Sequence, residues 1–415
     1  MNREFHMGNR EKLIATLPQH SLTVIFAGHA PMKTGDEPYP FYANRNFVYL
    51  TGITQEDSIL LIDKTPEQTR QILFALPPDE HAERWTGRRV KAYEAERIAG
   101  ITEFMYLDQF DSYVHRCMKS DHYNDVCLDL YQNSVNDADS EAIKYAAKVR
   151  QQYAWVKIHN ISLQLKRQRV IKQPCEIEAM RKAAVITRAG IVAMMKASKP
   201  GMWEYEYKAE FDYALTKAGC LSPGFPSIIS AGDNNFCIHY YAYTGQAKDG
   251  DMILNDVAAQ YDGLTNDVSR GWPCNGKFTE KQRALYQCAY NTSQHMFSII
   301  RPGMKMRDVD RLAREYNFEQ LKAIGLLDDY KDIGKYMWHG GAHHVGYDVH
   351  DIVDVDIIEP GMVFCVDIGI YVLEWGIGFR LEDNCLVTED GCENLTANIP
   401  RTIEDIEAVM AGEME

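Results

Sequence analysis

Three segments near the C-terminus decide the reading of this chain: HGGAHHVGYDVHD (339–351), EPGMVFCVDIG (359–369) and GFRLEDNCLVTEDG (378–391). They carry His339, His343 and His350, then Asp367 and Glu382, each acid at the end of an apolar run. An upstream segment, ILNDVAAQYDGLTNDVSR (253–270), adds Asp256 and Asp267. Side chains alternate faces along a strand. Asp262-Gly263 is a two-residue turn signal of the I′ kind, and residues paired across such a turn differ by an odd number. Asp256 and Asp267 are 11 apart, so both can lie on one face as diagonal cross-strand neighbours. Asp367 and Glu382 are 15 apart with a turn expected in EWGIG (374–378), and they can share a face as well.

Like charges this close repel, and a buried carboxylate pair is costly unless a cation compensates it. Any one of these acids alone reads as a solvent-facing strand residue. Four at matched parity in two hairpins favour a site. The glycines at 340, 341 and 346 argue against a helix through the histidines. A glycine-rich loop running into an extended segment fits better. An oxygen-rich set with one imidazole suits manganese or a similar divalent ion more than a thiolate zinc site. Two bridging acids would allow a two-metal centre holding a hydroxide between the ions.

The chain around these segments has 415 residues, enough for two domains with their own cores. A net charge of −15 argues against nucleic acid as a partner. The polar N-terminus, MNREFHMGNREKLIATL, holds no secretory h-region. No apolar run reaches the roughly 18–20 residues of a membrane span. The ten cysteines are scattered with no C-x-x-C, which fits reduced thiols in a cytoplasm.

In chain order, residues 9–17 read as an amphipathic helix and 22–28 as a buried strand. The aromatic, alternating run 39–52 and the segments 57–64 and 71–77 read as further strands. ERWTGRRV (83–90) reads as a turn with an exposed Trp85, and 91–100 as a helix capped by Gly100. This is an α/β domain over residues 1–155. Residues 138–168 lack Gly and Pro and read as a helical bridge. The second domain, 156–415, carries a weak internal repeat: helix, Pro-Gly-Met turn, helix, histidine segment, hairpin. The two turns, at Pro200 and Pro302, lie 102 residues apart.

With these residues in hand, the chain resembles the aminopeptidase P and prolidase family over nearly its whole length. NREKLIATLP, YANRNFVYLTGI and WTGRR resemble that family's N-terminal domain. LNDVAAQYDG, NDVSR, HGGAHHVGYDVHD and FRLEDNCLVTEDG match its acid and histidine motifs in order and spacing. The resemblance implies an α+β fold, with a smaller N-terminal α/β domain and a C-terminal pita-bread domain. It implies two Mn²⁺ ions per subunit, held by Asp256, Asp267, His343, Asp367 and Glu382. His239 and His350 match histidines that contact substrate and stabilise the tetrahedral intermediate, and His339 and Arg380 fall on positions lining the site. Trp85 matches an aromatic that in some members reaches a neighbouring subunit's site, which implies a homodimer or homotetramer. The implied activity is a manganese-dependent Xaa-Pro aminopeptidase acting on peptides with proline at the second position, with Asp367 as the general base.

Three positions depart from the family's pattern. Asp367 stands where glutamate is usual, Ala258 replaces the glycine of D-x-G, and Ala342 precedes His343 where a small hydroxyl residue is common. The missing methylene at Asp367 draws the carboxylate back by roughly 1.5 Å. An Xaa-Pro dipeptidase shares the same metal core and is the nearest alternative. A weakly active or non-catalytic peptide-binding descendant is the other, and it rests on Asp367.

Overall fold

The computed structural model describes residues 1–120, 122–351 and 355–414. Its contacts divide the chain into two units, Met1–Gln168 and Arg169–Glu415.

The first unit is built on a six-stranded mixed sheet. From edge to edge its strands are Glu103–Tyr106, Thr69–Ala75, Ile59–Lys64, Ser21–Phe26, Asp125–Leu128 and Lys157–Asn160. Period-two residues on one face (Leu22 and Val24, Ile59 and Leu61, Ile72 and Phe74) bury against the helices Phe110–Met118 and Glu141–Gln152. The helix expected across 138–168 is broken. It stops at Gln152, and Lys157–Asn160 pairs in parallel with Asp125–Leu128. That edge strand ties the bridge to the first sheet, and the contacts divide the chain after Gln168. The expected strand across 39–52 is instead the helix Arg45–Thr51, started by Asn44 accepting from the Phe47 N–H and ended by left-handed Gly52. The turn expected at 83–90 is entered through a short helix, Glu80–Thr86, capped by Asp79. Helices Arg3–Thr16 and Ala92–Ala99 agree with the sequence reading, including the Gly100 cap.

The second unit shows the repeat in its hydrogen bonds. In the first copy, between helices Pro174–Ala197 and Glu204–Lys217, Gly201 N donates to Ala247 O (2.7 Å) and Ala247 N to Met202 O (2.9 Å). In the second, between Glu280–Ile299 and Met306–Ala323, Gly303 N donates to Ile358 O (2.8 Å) and Ile358 N to Met304 O (2.8 Å). Both turn glycines have positive φ, 84° and 87°, which a side chain would strain. Two three-stranded sheets follow the helix pairs. One orders Ser269–Pro273, Met252–Asp256 and Ile228–Ala231; the other orders Val363–Val372, Ile377–Val387 and Cys392–Asn394. This is the expected pita-bread arrangement, following a smaller N-terminal α/β unit.

Candidate metal centre

The turn at Asp262-Gly263 has φ of 49° and 84°, the two left-handed residues that a I′ turn needs. It sets the register Tyr261↔Leu264, and the same register continues to Asp256↔Ser269. Asp267 therefore sits diagonal to Asp256, two residues before its partner. In the second hairpin Asp367 lies directly opposite Glu382, and Gly369 opposite Arg380.

The histidine segment pairs with the free edge of strand Val363–Val372. Asp367 N donates to Gly341 O (2.8 Å) and Cys365 N to His343 O (2.9 Å). Rows of facing residues then cross three strands: His343, Cys365 and Asn384 in one, Gly341, Asp367 and Glu382 in the next. Two glycines in these motifs have steric reasons. A Cβ on Gly341 would meet Asp367 O at 2.7 Å, and one on Gly369 would run into the His339 ring.

The two sheets are bolted together at the acids. The Asn384 amide donates to Asp267 O (2.8 Å) and accepts from Asp267 N (3.0 Å), as a strand neighbour would. Ser269 Oγ donates to Glu382 Oε2 at 2.9 Å. Arg380 donates to Asp256 (3.1 Å), Ser269 Oγ (3.3 Å), Tyr371 OH (3.0 Å) and Ile238 O (3.2 Å), the carbonyl before His239. His343 Nε2 lies 3.3 Å from Asp267 Oδ2 and 4.0 Å from Glu382 Oε1.

The electrostatics are those of a site built for a cation. Asp267 and Glu382 are almost wholly buried. Burial, then the charge of Glu382, pushes the Asp267 carboxyl well above the usual range. Burial, then Asp367, does the same to Glu382. Burial and the neighbouring His350 hold His343 down to about 4, so its imidazole is neutral and can ligate. Oδ1 of each of Asp256, Asp267 and Asp367 is buried with no hydrogen-bond partner. Orphaned acceptors of this kind are what a divalent ion satisfies. The donor atoms of Asp256, Asp267 and Glu382 lie within 4.8 Å of one another, as do those of Asp267, His343 and His350, spacings that could hold a metal ion.

Of the residues singled out in the sequence, Asp256, Asp267, His343, His350, Glu382 and Arg380 converge here. Asp367 shares the strand face but enters none of these donor sets among the described residues; its Oδ2 lies 3.2 Å from His339 Nδ1. His339 also lies 2.9 Å from Tyr371 OH. His239 is exposed and stacks with Tyr241. Trp85 is 80% exposed in the first unit. His344, adjacent to His343, is buried away from the acids, beneath Phe364.

Sequence reasoning missed four groups. Asn384 and Ser269 bridge the hairpins. Glu204, fully buried, accepts from Ala231 N (2.9 Å), Asn234 Nδ2 (2.9 Å), Tyr240 OH (2.8 Å) and Gly245 N (2.6 Å), and so holds the loop that carries His239. Asp310 accepts from Gly341 N (2.8 Å), while its neighbour Arg314 donates to the Met337 and His339 carbonyls. An acid on the second helix of each copy thus fixes that copy's histidine segment.

Comparison with known proteins places this geometry in a family. Residues 178–389 match Metallopeptidase family M24, and residues 6–126 match the Aminopeptidase P, N-terminal domain. The chain is 28% identical to the Xaa-Pro aminopeptidase of Escherichia coli (strain K12), covering 99% of this chain and 98% of that protein. It is 28% identical to Xaa-Pro aminopeptidase 3 of Homo sapiens, covering 93% and 80%. A Bacillus anthracis structure assigned as an aminopeptidase P superposes with a TM-score of 0.97 at 35% identity, covering 100% and 99%. Aminopeptidase P from E. coli with the inhibitor Pro-Leu superposes with a TM-score of 0.91 at 27% identity, again covering 100% and 99%. By the profile match and by similarity along its whole length, the chain belongs to metallopeptidase family M24, its N-terminal unit being an aminopeptidase P N-terminal domain.

Proposed function

We propose that the chain is a manganese-dependent Xaa-Pro aminopeptidase, removing the N-terminal residue from peptides with proline at the second position. The observation that carries this reading is the overlap of buried donor sets through Asp256, Asp267, His343 and Glu382, with Oδ1 of Asp256 and of Asp267 lacking a hydrogen-bond partner. The relatives named Xaa-Pro aminopeptidase, similar along both units, support the substrate class.

Two Mn²⁺ ions bound by Asp256, Asp267, His343, Asp367 and Glu382 would supply Lewis-acid polarisation of the scissile carbonyl and an activated water. Asp367 accepts the water's proton and returns it to the proline nitrogen. His339, against Asp367 Oδ2, fixes the direction of that carboxylate. His239 and His350 donate hydrogen bonds to the charge that develops on the carbonyl oxygen. Arg380 holds Asp256 and the backbone before His239 in one grip.

The working form we propose is a cytoplasmic homodimer or homotetramer, with Trp85 reaching a second copy. Its exposure on a short helix supports that role. No helix among the described residues is long and apolar enough to cross a membrane. Xaa-Pro-Yaa tripeptides and Xaa-Pro dipeptides, assayed side by side with Mn²⁺, test the activity. Preference for the tripeptide is expected, and preference for the dipeptide would make the protein a dipeptidase.

A further inference from the structure

The strand Val363–Val372 points Cys365 and Asp367 to the same face, two residues apart. Asp367, one methylene shorter than glutamate, turns its Oδ2 to His339. Cys365 stays with the metal-facing groups. It lies in one cross-strand row with His343 and Asn384, and its sulfur accepts from His343 N at 3.3 Å. It is fully buried, with Glu382, Asp267 and Asp367 as its charged neighbours. The donor atoms of His343, Cys365 and Glu382 lie within 4.8 Å of one another, a set that could itself hold one metal ion. A second observation comes from the same cluster: Asp267, 4% exposed, brings Oδ2 to 3.3 Å from His343 Nε2 and leaves its other carboxylate oxygen, Oδ1, buried without a partner.

We propose that Cys365 is a sulfur donor to the ion beside His343, joining His343 and Glu382 there. An N, S, O donor set raises that side's affinity for thiophilic divalent cations such as Zn²⁺, Co²⁺ or Cd²⁺ relative to its affinity for Mn²⁺. The centre is then unequal: an all-oxygen side at Asp256 and a mixed side at His343 and Cys365. Coordination displaces the thiol proton to water. The inference rests on the metal-dependent reading above.

The test uses full-length protein stripped of metal and titrated with Cd²⁺, followed by ultraviolet absorption and by dialysis for bound ion. The parent should develop a sulfur-to-cadmium charge-transfer band as the ion binds. Cys365→Ser should lose the band and bind Cd²⁺ about 10-fold more weakly or worse, with Mn²⁺ affinity changed far less. Cys385 and Cys392 touch each other, and Cys385 packs into the apolar core on the other face of the hairpin. Cys392→Ser is therefore the control and should keep the band. Cys365→Ala, with melting curves of the metal-free proteins, separates lost ligation from lost folding. Cadmium bound in equal amount by parent and Cys365→Ser without the band, or a band lost in Cys392→Ser instead, overturns the sulfur donor. No bound ion in any protein overturns the metal-dependent reading as well.

Discussion

Asp367 and Glu382 stand directly opposite each other across one antiparallel hairpin, and both point to the same buried space. One reaches the cluster of acids around His343; the other is drawn toward His339. If Asp367 is the base, as proposed, its short side chain limits how well it can meet the water. Asp367→Glu should restore the reach and raise kcat on an Xaa-Pro tripeptide, by up to about 10²-fold, since misplacement by about 1 Å costs on that order. Steady-state kinetics check it. Equal activity in parent and variant would show that the aspartate is not the limiting position.

Glu204 acts on the loop that carries His239. Its carboxylate gathers four donors there. Glu204→Gln places an amide N–H₂ against two of those donors. We expect kcat/KM to fall about 10-fold or more through loosened positioning, with bound metal unchanged. Loss of metal along with activity would mean that the residue supports the whole domain and not the loop.

Asp383 follows Glu382 but faces away from the site, between Arg270 (2.7 Å) and Arg401 (3.0 Å). Burial alone would raise its carboxyl, but the charge of Arg270, then that of Arg401, holds it below the usual range. A depressed folded value means stability that is full above about 3.9, the unfolded value, and is lost as pH falls through the lower folded one. Asp383→Asn leaves a buried arginine short of charge and should cost about 3–5 kcal/mol at neutral pH. Urea unfolding at pH 7 and at low pH checks this, and the gap between parent and variant should narrow as the pH drops.

The hairpins were legible because their evidence is local. Parity placed Asp256 with Asp267 and Asp367 with Glu382, and Asp262-Gly263 fixed the turn. The Pro-Gly-Met repeat was legible for the same reason. Lys157–Asn160 was not, since four residues at a sheet edge leave too short an alternation to stand out from helix-forming neighbours. Arg45–Thr51 read as a strand because Phe47, Val48, Tyr49 and Leu50 are all buried, and a helix buried all round looks like an aromatic strand. Asn44 and Gly52 carried the capping signal that would have corrected it. Asn384, Ser269 and Glu204 act through partners 27 to 117 residues away, and no local pattern announces such pairs.

Trp85 sits with most of its indole in water and a histidine, His81, as its ring neighbour. A side chain of this size gains most from burial against another surface. Trp85→Ala should shift the protein toward smaller species in sedimentation analysis. An unchanged distribution would remove Trp85 from the subunit contact.

We propose that the point between Asp267, His343 and Glu382 is a working metal centre. The direct measurement is metal content together with turnover: metal-free protein is reloaded with Mn²⁺, and bound ion and release of the N-terminal residue from an Xaa-Pro-Yaa peptide are followed in the parent and in Glu382→Ala. Two ions per chain and peptide turnover are expected in the parent, with both reduced in Glu382→Ala. Release in the parent no greater than in Glu382→Ala would contradict it.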